Sequence, residues 1–328
     1  MARSGRIREL LGGDGTGEGR VSDTGRAKES LIALLFLSPS LVVFVAFFFY
    51  PFEQLVLRGL YRNNTAGTNL RYVGWSQYGD VLGSDDFLDA LWRSVQYVIY
   101  TVPAGLILGT LLAVFANRKL KGTKIFQAIF SSTIATSAAV ASVVFLVLLN
   151  PQIGVIKGGI PPFELDRALL DNPSGVMDFG LFHLSTPFNA ALFGVALSSI
   201  WQNLGLSFVV VLAGLQAIPE EVDEAAALDG YGPVRRFFRI TLPLLSPVLM
   251  FLVVVLVIFA LQAFAPVEFL TQGGPAGSTR TLVFEIFQRQ TPNKLHEGAI
   301  MSVGLFGVTF LVTLLQFSLL EKRVHYGS

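Results

Sequence analysis

The sequence predicts an all-α integral membrane bundle of six transmembrane helices, with one polar helical segment between the fourth and fifth spans. Three observations carry that reading. Hydrophobic residues make up 52% of the 328-residue chain and charged residues only 14%, with 28 phenylalanines. A soluble fold of this length has too little interior to hide that much apolar surface, so lipid is the natural solvent. Six separate runs reach the roughly 20 apolar residues that a helix needs to cross a bilayer. Finally, Glu224–Pro243 (EAAALDGYGPVRRFFRITLP) is the one long polar, helix-prone stretch lying between two such runs.

Residues 1–30 are rich in Gly, Arg and acids and read as a disordered tail. The GGDGTGEG stretch at Gly12–Gly19 lacks the Gly-Lys-Ser/Thr ending of a phosphate loop and any strand before it, so it reads as a linker. The first apolar run is longer than a signal-peptide core and is expected to stay as an anchor. The spans are expected at Leu31–Phe52, Ser94–Ala116, Ile125–Leu149, Phe188–Ile218, Leu244–Val267 and Ala299–Leu320. Pro39, Pro103, Gly105, Gly109 and Pro247 lie inside them, where neighbouring helices can satisfy any freed backbone groups. Gly105 and Gly109, four apart, allow a close helix approach, with generic packing as the alternative. Residues 321–328 form a short C-terminal tail.

Lysine and arginine set the orientation. With a cytoplasmic N-terminus, 15 of the 24 basic residues fall on the inner side, in the tails, Asn117–Lys124 and the Glu224 segment. The positive-inside rule therefore places both termini and the Glu224 segment in the cytoplasm. Glu53–Arg93, Asn150–Pro187 and Glu268–Gly298 become the outer loops, with Trp75 and Trp92 near their edges.

The segment at 219–243 has an internal order. Pro219 with Glu220 and Glu221 suits a helix start, and Val222, Ala225 and Ala226 make a small-residue stripe at helical spacing. Gly230 and Gly232 punctuate that helix, Pro233 opens a second one carrying Arg235, Arg236 and Arg239, and Pro243 closes the segment. A small close-packing face between two spans suits docking onto another protein.

Little else in the chain suggests chemistry. There is no cysteine, and His183, His296 and His325 have no metal-ligand spacing. No span contains a carboxylate pair, and no hydrolase, metalloprotease or dinucleotide motif stands in its required context, so an intramembrane enzyme has no constellation to use. A stand-alone ion-driven transporter would need intramembrane Asp, Glu or Arg, which the six runs lack. Gly273–Thr279 (GGPAGST) is loosely like a phosphate cradle but has no lysine and lies outside, which favours a turn-rich loop. Within the spans, Gln96, Trp201, Gln202, Asn203 and Gln262 are candidates to line a substrate path, with interhelical hydrogen bonding as the competing role.

Glu224-Ala225-Ala226, then Gly230, then Ile240-x-Leu242-Pro243, resembles the signature of permease subunits of binding-protein-dependent ATP-binding-cassette importers. The resemblance runs from about Leu31 to Tyr326. LLNPQIGVI at Leu148–Ile156, GPVRRFFRITLPLLSP at Gly232–Pro247, FLTQGGPAGSTRTLVFEIF at Phe269–Phe287 and QFSLLEKRVHY at Gln316–Tyr326 look most like the first permease subunit of importers for sn-glycerol-3-phosphate and glycerophosphodiesters, within the maltose and glycerol-phosphate branch. It implies a type I importer permease fold in a prokaryotic plasma membrane, with a permease domain over 31–320. Glu224 to Gly230 would form a cytoplasmic coupling helix seated in a cleft of an ATPase subunit, with Glu224, Ala225, Ala226, Asp229, Gly230 and, at the end of the 219–243 loop, Pro243 as the ATPase-coupling residues. For Asp229 a helix-terminating cap is an equal reading. The implied partners are a second homologous permease, an ATPase dimer that binds the ATP and magnesium, an extracytoplasmic binding protein and membrane lipid, with no nucleic acid and no cofactor in this chain. A sugar or oligosaccharide is the alternative substrate. Two departures stand out: the N-terminal extension, and Tyr231, where many relatives carry alanine.

Overall fold

In the computed structural model, residues 23–63, 70–117, 122–149 and 189–320 are described, with short pieces at 170, 177–178 and 183–184. The expected tail ends at 1–22 and 321–328, the Gly12–Gly19 linker and most of the Asn150–Pro187 loop lie outside the described residues.

The chain divides into two units, Met1–Gln54 and Leu55–Ser328. α1 (Asp23–Phe44) continues through a π turn at Val45–Phe49 into α2 (Tyr50–Gly59), within which the boundary between the units falls. The helix starts at Asp23, so 23–30 are helical rather than tail. Arg26, Ala27, Lys28 and Glu29 are all good helix formers. The π turn sits just ahead of Pro51, whose missing N–H leaves the carbonyl of Phe47 without its usual donor. The membrane-length stretch is Ile32–Gly59, and its apolar window has no buried residue. Phe36 and Phe47 are 80% and 79% exposed, which marks a helix whose apolar surface requires lipid or another chain's helix.

In the second unit, β1 (Tyr61–Asn63) and β2 (Leu70–Tyr72) pair antiparallel, with Tyr61 opposite Tyr72. The short α3 (Ser76–Leu82) follows, and its Tyr78 hydroxyl donates to the Val56 carbonyl. α4 (Asp85–Ala116) begins nine residues before the expected Ser94. Ser84 caps it by accepting from the Phe87 N–H, and Asp85 and Asp86 sit at its positive end, so the polar first turns are helix rather than loop.

The third expected span is broken. α5 (Thr123–Ser131) runs into a 3₁₀ turn at Ser132–Ala135, and α6 (Ala138–Leu148) leaves at 106° to it. Ser131, Ser132 and Thr133 each donate to the carbonyl three residues back, which competes with regular helix. Ser137 then caps α6 by accepting from Val140. The short pair β3 (Met177–Asp178) and β4 (His183–Leu184) precedes α7 (Ala190–Gln216), which matches the fourth expected span to within two residues at each end.

α8 (Glu220–Leu228) and α9 (Pro233–Arg236) make up the polar segment. α9 continues through a π turn (Phe237–Thr241) and α10 (Leu242–Leu244), and α11 (Ser246–Leu261) follows at 69° to Pro233–Leu244. Pro243 therefore does not close the segment. The helix runs through it, the π turn taking up its missing donor, and the bend comes at Leu245 with Pro247 just beyond. The fifth span also ends early, because Pro266 opens a separate α12 (Ala265–Leu270) instead of extending α11. α13 (Leu282–Gln288) and α14 (Leu295–Leu320) complete the fold. Among the described residues, four helices are long and apolar enough to cross a membrane, or up to six when each bent pair counts as one span.

The core forms where α4 and α7 lie side by side and parallel, with α11 against both. Tyr97, Phe208, Leu192, Leu252 and Leu256 are buried there, and the Tyr97 hydroxyl meets the Ser199 hydroxyl at 2.7 Å. A Cβ on Gly109 would stand 2.3 Å from that of Ser207, so glycine sets the closeness of α4 and α7. Gly105 is looser, its virtual Cβ 3.9 Å from Asn203.

Candidate functional site

At one end of α7 the chain turns into α8. Pro219 is the residue before the first turn rather than in it, and its extended backbone (ψ 141°) directs the chain into Glu220. α8 stops by a Schellman closure: Tyr231 N–H donates to the Ala226 carbonyl and Gly230 N–H to that of Ala227. Gly230 takes φ +76°, which a side chain resists. Asp229 is the C-cap, which supports its capping role.

The expected stripe of small residues is divided between two faces. Ala226 is buried, whereas Ala225, Glu221 and Glu224 are exposed and Val222 is intermediate. Leu228, at 90% exposure, joins the outward face one turn after Glu224. A leucine that bare is unusual on a polar helix, and the small-residue pattern of the alanines gives no sign of it. Tyr231 turns out to be half-buried, with the Arg235 guanidinium 4.9 Å from its ring centre. The bulk of Tyr231 therefore goes into joining α8 to α9.

The five polar residues expected in the spans are carried by α4, α7 and the end of α11. Gln202 donates to the carbonyl of Thr136 at 2.9 Å, satisfying the group freed where the third span breaks. Gly205, one turn on, leaves room for that break, since a Cβ there would lie 2.2 Å from Thr133 Oγ1. Gln202 is thus an interhelical bond. Trp201 packs near Phe145, ring centres 6.0 Å apart. Asn203 and Gln96 are partly buried on α7 and α4. Gln262 follows the last residue of α11 as its C-cap and is exposed.

The opposite end of α7 is bound to the loop after α12. Asn189 accepts from the Leu192 N–H and donates to the Ser278 carbonyl, and the Ser94 hydroxyl of α4 accepts from the Leu282 N–H. Below that loop Arg289, 4% exposed, is held by three carboxylates: Asp86 of α4 at 2.7 Å, Glu297 of α14 at 3.1 Å, and Glu285 one turn before it. Burial would lower the Arg289 pKa, but the hydrogen bonds and charges of Glu285, Glu297 and Asp86 hold it above its ordinary value. Only the Glu285–Arg289 spacing was visible in the sequence. Of the other two acids, Glu297 sits eight residues on, in α14, and only Asp86 comes from far away in the chain. Among the described residues no group of three or more His, Asp or Glu is placed to hold a metal.

The chain is 31% identical over 294 residues to the sn-glycerol-3-phosphate transport system permease protein UgpA of Escherichia coli (strain UTI89 / UPEC), covering 89% of this chain and 95% of that one. It is 31% identical over 299 residues to the protein of the same name from Agrobacterium fabrum (strain C58 / ATCC 33970), covering 90% and 97%. The fold matches a bacterial ABC transporter involved in the import of the acidic polysaccharide alginate, with TM-score 0.68, 20% identity, and 90% and 96% of the two chains covered. A bacterial alginate ABC transporter in complex with an alginate pentasaccharide-bound periplasmic protein gives TM-score 0.70 at 20% identity over 92% and 98%. Residues 73–326 match the family described as binding-protein-dependent transport system inner membrane component. With its broken spans, its short helix before the fifth span and these relatives, the chain belongs to that family: it is an ABC importer permease subunit.

Proposed function

We propose that this permease carries sn-glycerol-3-phosphate or glycerophosphodiesters such as glycerophosphocholine across the membrane by ATP-driven alternating access. The observation that carries the reading is the 31% identity, over nearly the full length of both chains, to permeases named for sn-glycerol-3-phosphate transport. α8 is the coupling helix, facing the cytoplasm with both termini. Its outward Glu221, Glu224, Ala225 and Leu228 seat in a cleft of an ATPase subunit, where Glu224 makes a charge-assisted bond. The partner ATPase dimer binds ATP and magnesium and performs the hydrolysis. A second, homologous permease completes the path, and an extracytoplasmic binding protein delivers substrate to the loops around Glu268–Gly298. Closure of the ATPase dimer moves α8, and the stiff helical run Pro233–Leu244 transmits that motion to α11.

A sugar or oligosaccharide is the second reading. It is favoured by the absence of Lys and Arg from the six apolar runs, where an anion would find no counter-charge. Uptake of radiolabelled sn-glycerol-3-phosphate, glycerophosphocholine and maltose by the importer reconstituted with its partners separates the two. Uptake of the first two, saturable and dependent on ATP, is expected; uptake of maltose alone overturns the proposal.

A further inference from the structure

We infer that the loop Thr271–Arg280 is a mouth subsite for a phosphate-type oxyanion, with Arg280 as its cationic ligand; assigning that oxyanion to the substrate rests on the glycerol-phosphate reading above. The loop lines an open concavity of about 420 Å³, bordered by Thr271 to Gly274, by Ala276 and Gly277, and by Arg280. That lies at the small end of the roughly 300–1,000 Å³ range of ligand sites.

Three features suit it to an anion. The first is Arg280. Among the described residues no carboxylate pairs with it, whereas on the same side of the bundle Arg289 is spent on three acids and Arg93 on Asp89. Its guanidinium offers a fork of N–H donors matched to phosphate oxygens.

The second is the loop backbone. Gln272, Gly273, Ala276 and Gly277 all have positive φ (49°, 82°, 46° and 77°). The N–H groups of Gly273, Ala276 and Gly277, all lining residues, donate to no acceptor among the described residues. Uncommitted amides in left-handed turns are the usual material of anion-binding concavities.

The third is rigidity. Thr279 Oγ1 donates to the Gly274 carbonyl at 2.8 Å and meets the Thr271 hydroxyl at 2.7 Å, and Asn189 anchors the Ser278 carbonyl. The Arg280 stem lies across the two glycines: its Cγ would be 2.8 Å from a Cβ on Gly273, and its Cδ 3.6 Å from one on Gly277. A Cβ on Gly273 would collide with the Arg280 stem, and one on Gly277 would be strained by its φ of +77°, so the two glycines let the cation lie over the concavity. Through Asn189 the loop is fixed to the start of α7, the helix that bears Trp201 and Asn203. It stands where an anion would first meet the permease.

The test uses the complete importer, purified with its co-expressed partners in nanodiscs and with the binding protein omitted. The probes are inorganic phosphate and sn-glycerol-3-phosphate. Phosphorus NMR should show both resonances broadened by the wild type, much less by Arg280→Gln, and partly by Arg280→Lys. In proteoliposomes with the binding protein restored, Arg280→Gln should raise the KM for sn-glycerol-3-phosphate about tenfold and leave kcat nearly unchanged. If Arg280→Gln does not assemble, Gly277→Val, which strains the loop, replaces it with the same expectation. An assembled variant with wild-type broadening and KM overturns the subsite. So does loss of binding-protein-stimulated ATPase with wild-type broadening, which would make Arg280 a protein contact. Arg280-dependent phosphate broadening in an importer that takes up only maltose supports the oxyanion site and removes the glycerol-phosphate reading.

Discussion

Replacing Arg289 by glutamine should be among the most damaging single changes at the α4 end of the bundle. Its three partners differ in what they lose. Asp86 is 70% exposed on its side chain, so water screens it and its share is about 0–1 kcal/mol. Glu297 is 31% exposed and intermediate. Glu285, at 11%, would be left charged and buried beside two other acids, and breaking a buried pair in that way costs about 3–5 kcal/mol. A total near 4 kcal/mol is expected, or a Tm lower by about 8–16 °C on the scale of soluble domains of 150–250 residues. Thermal unfolding of the assembled complex, followed by size-exclusion chromatography, measures it. The double variant Arg289→Met, Glu285→Met removes charge and counter-charge together, and should recover more than half of the loss. The sign of the pH dependence also follows. The folded-state pKa of Arg289 is raised, so its contribution is fully present below the ordinary arginine value and is lost only as pH rises through the folded one. Stability from this group should therefore be flat between about pH 7 and 9. A Tm drop under about 2 °C, or a double variant no better than the single, would refute the reasoning.

Glu224→Lys should abolish substrate-stimulated ATP hydrolysis while the complex still assembles; wild-type stimulation would remove Glu224 from the docking face. Leu228→Asp should lower the same stimulation about tenfold or more without changing the thermal stability of the permease, since the side chain touches nothing in this chain to speak of at 90% exposure. Gly230→Val should cost on the order of 1–3 kcal/mol through its positive φ and uncouple ATPase from uptake, with Gly230→Asn milder. Gln202→Leu leaves the Thr136 carbonyl without its donor, so Tm should fall by an amount equivalent to about 1–3 kcal/mol with KM unchanged; a raised KM at constant Tm would return Gln202 to the substrate path.

The spans were legible because bilayer thickness is written directly into apolar run length, and α7 came out nearly as expected. The breaks in the third and fifth spans were not, although their causes are local. Ser131, Ser132, Thr133 and Ser137 lie inside an otherwise apolar run, and hydropathy averages over such hydroxyls while hydrogen bonding does not. Pro243 and Pro247 were visible, but which one the helix would tolerate depends on whether a π turn precedes it. The Glu224 segment was legible as two helices around Gly230, because a Schellman closure has a short-range signature. Its outward face was not, since which alanine turns inward is decided by packing. The Arg289 cluster lay out of reach for the same reason: Asp86 is more than 200 residues from it, and only the fold brings them together.

The polar groups inside the spans bear on where selection takes place. Ser94, Thr101, Ser142, Ser198, Ser302 and Thr309 each donate to a carbonyl three or four residues back on their own helix. Ser94 also accepts from Leu282, and Tyr97 is paired with Ser199. A hydroxyl spent in this way keeps the span compatible with lipid or packed helices but displays no donor to a passing solute. Among the described residues, Ser207 at the α4–α7 contact and Gln316 in α14 instead each bury a side-chain oxygen that has no partner. Charge is sorted likewise, with Arg235, Arg236 and Arg239 after one end of α7 and Arg280 and Arg289 beside the other. Hydroxyls committed in this way leave the spans fewer donors with which to tell one polar solute from another. On the proposed oxyanion reading, chemical recognition falls to the charged ends, where Arg280 and its glycine loop are placed.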